Sequence, residues 1–201
     1  MSSLEVLPFT RYVVLATLLY DGRAQSVAAF AKDMGLEFFI SVDRISQRRE
    51  ACTLIRSGKI SEAIHIIHQH SPFLFQTRHD LCFQLYIQNF VEQFKANPSA
   101  WQDILENSSH ELSDLVAFNP GYLDALSEVS LLLVTEGNPS LQDQLQLSHL
   151  LDEKKRVALA QNLNEALITE EGWLNEEFSN CIPSLRRLYQ HFEQLKMMDS
   201  V

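Results

Sequence analysis

"EACTLIRSGKISEAIHIIHQHSP", residues 50–72, admits two readings, a metal site or a pair of helices meeting at a turn. Three histidines, His65, His68 and His70, fall within six positions. His65 and His68 are three apart and share a helix face. His70 lies five residues from His65, beside the break at Pro72, and points elsewhere. The nearest acid is Glu62, and no HExxH pattern is present. Apolar positions favour the second reading. Ala51, Cys52, Leu54 and Ile55 precede Gly58, and Ala63, Ile64 and Ile67 follow it, both sets at helical spacing. Gly58 stands where a left-handed helix cap is wanted. Ser61 is placed to cap the second helix, and Pro72 pushes Ser71 out of the helical region. The stretch therefore reads as helix, glycine turn, helix. Gly58 and Pro72 are its structural turns, and the histidines lie on a polar face.

The same pattern extends outward. The helix before Gly58 starts near Asp43. Upstream, Thr10 to Tyr20 is apolar almost all round and is expected to be buried, ending at Asp21-Gly22. Ala24, Val27, Ala28, Ala31 and Met34 form the stripe of the next helix, with Phe30 beside it and Gly35 as its stop. Downstream, Phe83, Ile87, Phe90, Val91 and Phe94 mark a long helix over roughly Asp80 to Lys95, with Leu81 and Leu85 on a second edge. Helical patterns follow over Trp101–Val116 and Tyr122–Val134, and from an N-cap at Asp152 to about Ile168. Leu185, Leu188, Phe192 and Leu195 then form a packing seam after Pro183. Six glycines and six prolines punctuate these segments, and no alternating apolar–polar strand pattern stands out. The expected fold is all-α: a single elongated domain of about nine helices, with no repeat period and no long polar linker.

Composition narrows the function. The 201 residues are 46% hydrophobic and carry a formal charge of −10, which disfavours nucleic acid as a partner. The longest apolar run is too short for a membrane span, and the N-terminus lacks signal-peptide order. Cys52, Cys82 and Cys181 are scattered and odd in number, the pattern of reduced intracellular thiols. Cys52 and Cys82 have apolar neighbours, which argues against nucleophiles. Asp152-Glu153, Glu170-Glu171 and Glu176-Glu177 point in divergent directions on helices and read as helix-start and loop charges. Arg44, Arg48, Arg49, Arg56 and Lys59 form a local basic cluster, read as a solvated face or as pairing with a neighbouring subunit. There is no GxSxG, Walker or GxGxxG motif. No catalytic residue, cofactor or metal is expected. A metal-dependent hydrolase using His65, His68 and His70 is the remote alternative.

Three stretches carry a resemblance. "LLYDGRAQSVAAFAKDMGL" resembles a LisH motif through Leu18, Gly22, Ser26, Val27 and Phe30, with Arg23 where that family has an aromatic. "RREACTLIRSGKISEAIHIIHQHSPFLFQTRHDLCFQLYIQNFVEQF" resembles a CTLH motif through Ile55, Gly58, Ile60, Ala63, Ile64, Pro72, Leu74, Leu81, Phe83, Leu85, Gln88, Phe90 and Val91. "LSEVSLLLV", "LSHLLDEKKRVALAQNLNEALI" and "IPSLRRLYQHFEQL" are similar, in order, to a CRA domain. The division is 8–40 LisH-like, 43–100 CTLH-like and 101–198 CRA-like. This resemblance to the LisH–CTLH–CRA family, in the form with no further domain, implies a non-catalytic scaffold subunit of the GID/CTLH ubiquitin ligase. It implies protein partners: related LisH–CTLH–CRA subunits, RING-bearing subunits and substrate receptors. It also implies a CRA tail that folds back towards the LisH helices. A homodimer or heterodimer is expected through that end, with Leu18, Gly22, Val27, Phe30, Leu188, Phe192 and Leu195 at the interface. A second interface is expected on the CTLH and first CRA helices. Localisation is expected to be cytoplasmic and nuclear. The alternative is a generic helical adaptor, cytoskeletal or transcriptional, outside ubiquitin ligases.

Overall fold

The computed structural model describes residues 9–35, 41–135 and 138–171. Leu188, Phe192, Leu195, Pro183 and Cys181 lie outside these residues. Among the described residues the fold is all-α. The helices are α1 (Phe9–Tyr20), α2 (Ala24–Asp33), α3 (Val42–Arg56), α4 (Ile60–His70), α5 (Leu74–Thr77), α6 (His79–Ala96), α7 (Trp101–Phe118), α8 (Leu123–Val134), α9 (Pro139–Gln144) and α10 (Glu153–Glu170). Short 3-10 turns precede α7, α8 and α10. The chain divides into two compact units, Met1–Arg49 with Ala166–Val201, and Glu50–Glu165. The unit boundaries fall inside α3 and α10, not in linkers, so no shift in composition marks them.

In the first unit, Leu15, Ala16, Leu19, Ala24, Val27, Ala31 and Ile45 form a core, with Leu18, Phe30, Met34 and Val42 packed at its margin. α1 ends at Gly22, whose φ is +66°. The amide of Gly22 donates to Leu19 O (3.1 Å) and that of Arg23 to Leu18 O (3.0 Å). This bond pair is the Schellman termination. An ideal Cβ on Gly22 would lie 2.8 Å from Arg49 Cβ, so this glycine also permits the close approach of α3. α1 is not covered all round: Val14 is exposed and Leu18 half-buried.

In the second unit, α6 is the central helix. Its buried Leu81, Cys82, Phe83, Leu85, Phe90, Val91 and Phe94 cover two sides, so α4, α5, α7 and α8 all pack on it. Phe90, Val91 and Phe94 join Ile104, Val129, Leu132, Leu133, Leu147 and Leu150 in one cluster. Cys82 and Phe83 join Leu112 and Leu115 in another. Gly58 has φ +82°, and its amide donates to Ile55 O (3.0 Å) while that of Lys59 donates to Leu54 O (2.9 Å). The turn is therefore the same device as at Gly22. Ser61 is not the cap expected of it. α4 begins one residue earlier, at Ile60, and has no side-chain cap, because the glycine turn itself sets the start. Asp152 does cap α10, its carboxylate accepting from Lys154 N at 2.9 Å. α5 and α9, of four and six residues, lacked any legible period.

Candidate functional site

The first candidate surface lies on α1 and α2. Val27 is 0% exposed and belongs to the core of its own unit. Gly22 is buried against Arg49. Leu18 and Phe30 are half-buried at the margin, and Val14, one turn before Leu18, is exposed. Val14, Leu18 and Phe30 thus reach the surface, while Gly22 and Val27 shape the hairpin beneath them. Arg23 is exposed and pairs with Asp21 at 3.4 Å.

The second candidate surface lies on α8. One face of α8 is buried through Val129, Leu132 and Leu133. Leu123, Leu131 and Val134 on the other side are 50%, 47% and 71% exposed. Positions 123, 127, 130, 131 and 134 share that outer face at helical spacing. Its two serines turn inward: Ser127 Oγ donates to Leu123 O (2.8 Å) and Ser130 Oγ to Leu126 O (2.7 Å). Their donors are satisfied by the helix itself, and the large side chains of the outer face are Leu123, Leu131 and Val134. Asp124 and Glu128 rim it, and Glu128 Oε2 is 3.4 Å from His149 Nε2. Two features fix its placement. Tyr122 stacks on Phe83 of α6 (centroids 4.1 Å, 9°). Gln142 Nε2 of α9 donates to Thr135 Oγ1 (3.3 Å) just beyond α8. Phe118, at the end of α7 and 66% exposed, leans on His79 with ring centroids 4.0 Å apart.

The histidine cluster is occupied otherwise. All three histidines are exposed on α4. His68 stacks on Phe75 (3.9 Å, 4°), and a ring nitrogen of His65 lies 2.9 Å from Gln69 Nε2. Among the described residues no group of three or more His, Cys, Asp or Glu side chains is placed to hold a metal ion. Cys52 and Cys82 are buried thiols. Burial pushes the Cys82 thiol up to about 12, the opposite of an activated nucleophile.

Two charge arrangements were not legible in the sequence. Arg48, grouped there with a solvated basic cluster, is buried; its Nη2 donates to Leu19 O at 2.6 Å. Glu171, read as a loop charge, is buried with it: Arg48 Nε and Glu171 Oε2 are 3.7 Å apart. The other members, Arg44, Arg49, Arg56 and Lys59, are exposed. Under the Gly58 turn, Glu92 accepts from Gln88 Nε2 (2.7 Å) and lies 3.7 Å from Arg156 Nη1. A Cβ on Gly58 would strike that guanidinium at 2.7 Å.

A family described as "CTLH/CRA C-terminal to LisH motif domain" matches residues 44–191. The Protein GID8 homolog of Arabidopsis thaliana is 23% identical over 176 residues, 88% of this chain and 69% of that protein. The Glucose-induced degradation protein 8 homolog of Dictyostelium discoideum is 24% identical, covering 80% of this chain and 68% of its own. GID complex subunit 8 of Schizosaccharomyces pombe is 24% identical, covering 82% and 70%. The family match spans well over half of the sequence and takes in α4 to α10 whole, so this chain belongs to the CTLH/CRA C-terminal to LisH motif domain family.

Proposed function

We propose that this chain is a non-catalytic scaffold subunit of a multisubunit ubiquitin ligase. It joins RING-bearing and substrate-receptor subunits through two surfaces, one on α1 and α2 and one on α7 and α8. The observation that carries the reading is α8, a helix with one apolar face in its own core and a second turned outward. Scattered exposed apolar residues are ordinary, but an apolar face along three turns of one helix marks an interaction site. The relatives support the assignment, since the fission yeast protein is named as a subunit of a complex. LisH-like, CTLH-like and CRA-like segments at 8–40, 43–100 and 101–198 are part of the proposal. So are a homodimer or heterodimer through Leu18 and Phe30 and a cytoplasmic and nuclear location.

The test is affinity purification of the full chain from cells. Related CTLH-bearing and RING-bearing subunits should co-purify with it and be lost when Leu131 and Val134 are changed to Asp. Retention of cytoskeletal or transcriptional partners and no ligase subunit would favour a general helical adaptor. Stoichiometric zinc in the purified protein would revive the hydrolase reading of His65, His68 and His70.

A further inference from the structure

Three segments distant in sequence meet at the Arg48 guanidinium, all within the first unit. The last turn of α1 offers the carbonyl of Leu19. Arg48 comes from α3, and Glu171 stands just after α10. The two charged side chains are 1% and 8% exposed. At 3.7 Å their contact is an ion pair, longer than a hydrogen bond. Burial outweighs the attraction of Arg48 and Arg44 and, with the repulsion of Glu170, holds the Glu171 carboxyl above its ordinary range. The folded state thus binds this proton more tightly than the unfolded chain. The group's contribution to stability is present at low pH and is lost as pH rises through the raised folded value. Burial thus works against the charged pair, as in buried pairs whose desolvation offsets much of their attraction. Its use is then specification. A buried arginine needs acceptors, and the end of α1 and residue 171 both supply them here.

We propose that Arg48 is a register lock: the α1–α2 hairpin is held in its one placement on α3 only after the returning chain has brought Glu171 to the guanidinium. The inference concerns the order of the hairpin and holds whether or not α1 and α2 bind a partner.

Amide exchange of the full chain tests it, with Arg48→Met, Glu171→Leu and the double variant. Each single variant removes one charge of the buried pair and leaves the other. Each should raise exchange in α1 and α2 by roughly tenfold or more. The double variant removes both charges and should recover the native melting temperature. Its α1–α2 amides should nevertheless still exchange about tenfold faster than in the native chain, because nothing polar selects the placement. Native protection in the double variant, or in either single variant, overturns the lock. A double variant that does not fold overturns the claim that the pair serves specification rather than stability.

Discussion

Gly22 and Gly35 make a controlled pair. Both lie in the first unit, and their φ angles are nearly equal, +66° and +68°. A β-carbon in this left-handed region costs roughly 1–2 kcal/mol at either position. Their surroundings differ. At Gly35 an added Cβ meets nothing within 4 Å, whereas at Gly22 it meets Arg49 Cβ at 2.8 Å, Cγ at 3.3 Å and Cδ at 3.4 Å. Carbon atoms prefer about 3.5–4.0 Å, so α3 must recede by most of an ångström. The Arg49 atom nearest the clash is fixed to the backbone and cannot swing aside. Overpacking of this kind costs about 1–3 kcal/mol. Gly35→Ala should therefore lose about 1–2 kcal/mol and Gly22→Ala about 2–5 kcal/mol. Urea denaturation followed by circular dichroism, together with amide exchange in α1 and α2, measures both. The backbone term cancels in the difference, which isolates the approach of α3. Equal losses in the two variants would refute the reasoning.

At Gly58 the positive φ costs roughly 1–2 kcal/mol and an added Cβ also meets the Arg156 guanidinium at 2.7 Å, so Gly58→Ala should cost about 1–3 kcal/mol; Arg156→Met should relieve the contact part alone, and fully additive losses in a double-mutant cycle would exclude that coupling. Gln146 is the one described non-glycine residue with positive φ, +57°. Gln146→Gly should stabilise the chain by about 1 kcal/mol, read as a rise of roughly 2–4 °C in melting temperature. The Cys82 thiol, buried and shifted up to about 12, should resist alkylation at pH 8 in the native protein and react on unfolding, with site-resolved mass spectrometry as the readout. His68→Ala should cost about 0.5–1.5 kcal/mol through its lost stack on Phe75, while His65→Ala and His70→Ala stay within about 0.5 kcal/mol in thermal melts.

What was legible in the sequence was punctuation and period. Gly22, Gly35 and Gly58 all have positive φ, and the apolar positions of α6 named from spacing are buried except for the half-buried Ile87. Gln146 makes the same kind of turn, with Leu147 N donating to Gln142 O at 2.8 Å, yet a glutamine carries no sign of a left-handed backbone. α5 and α9 are shorter than two helical turns, so period was silent there. Arg48 could not be told from Arg44 and Arg49, because a run of basic residues does not say which one turns inward. The candidate surfaces divided likewise. Of the positions named from the motif, Leu18 and Phe30 are half-buried at the margin, whereas Val27 fills its own unit's core. The outer face of α8 was missed because Ser127 and Ser130 read as polar until their hydroxyls are seen bonded to the helix.

The make-up of the two units also sets a timetable for synthesis. α4, α5, α6, α7 and α8 pack on one another in near sequence order, so the second unit can collect its core while the ribosome is still at work. The first unit is completed later. It also includes Ala166–Glu171, made more than a hundred residues after Arg49. At typical elongation speed the α1–α2 hairpin waits on the order of ten seconds for these residues. Through that interval Leu15, Leu19 and Val27 belong to a unit still incomplete. The nascent chain is then most open to a chaperone, or to an early partner.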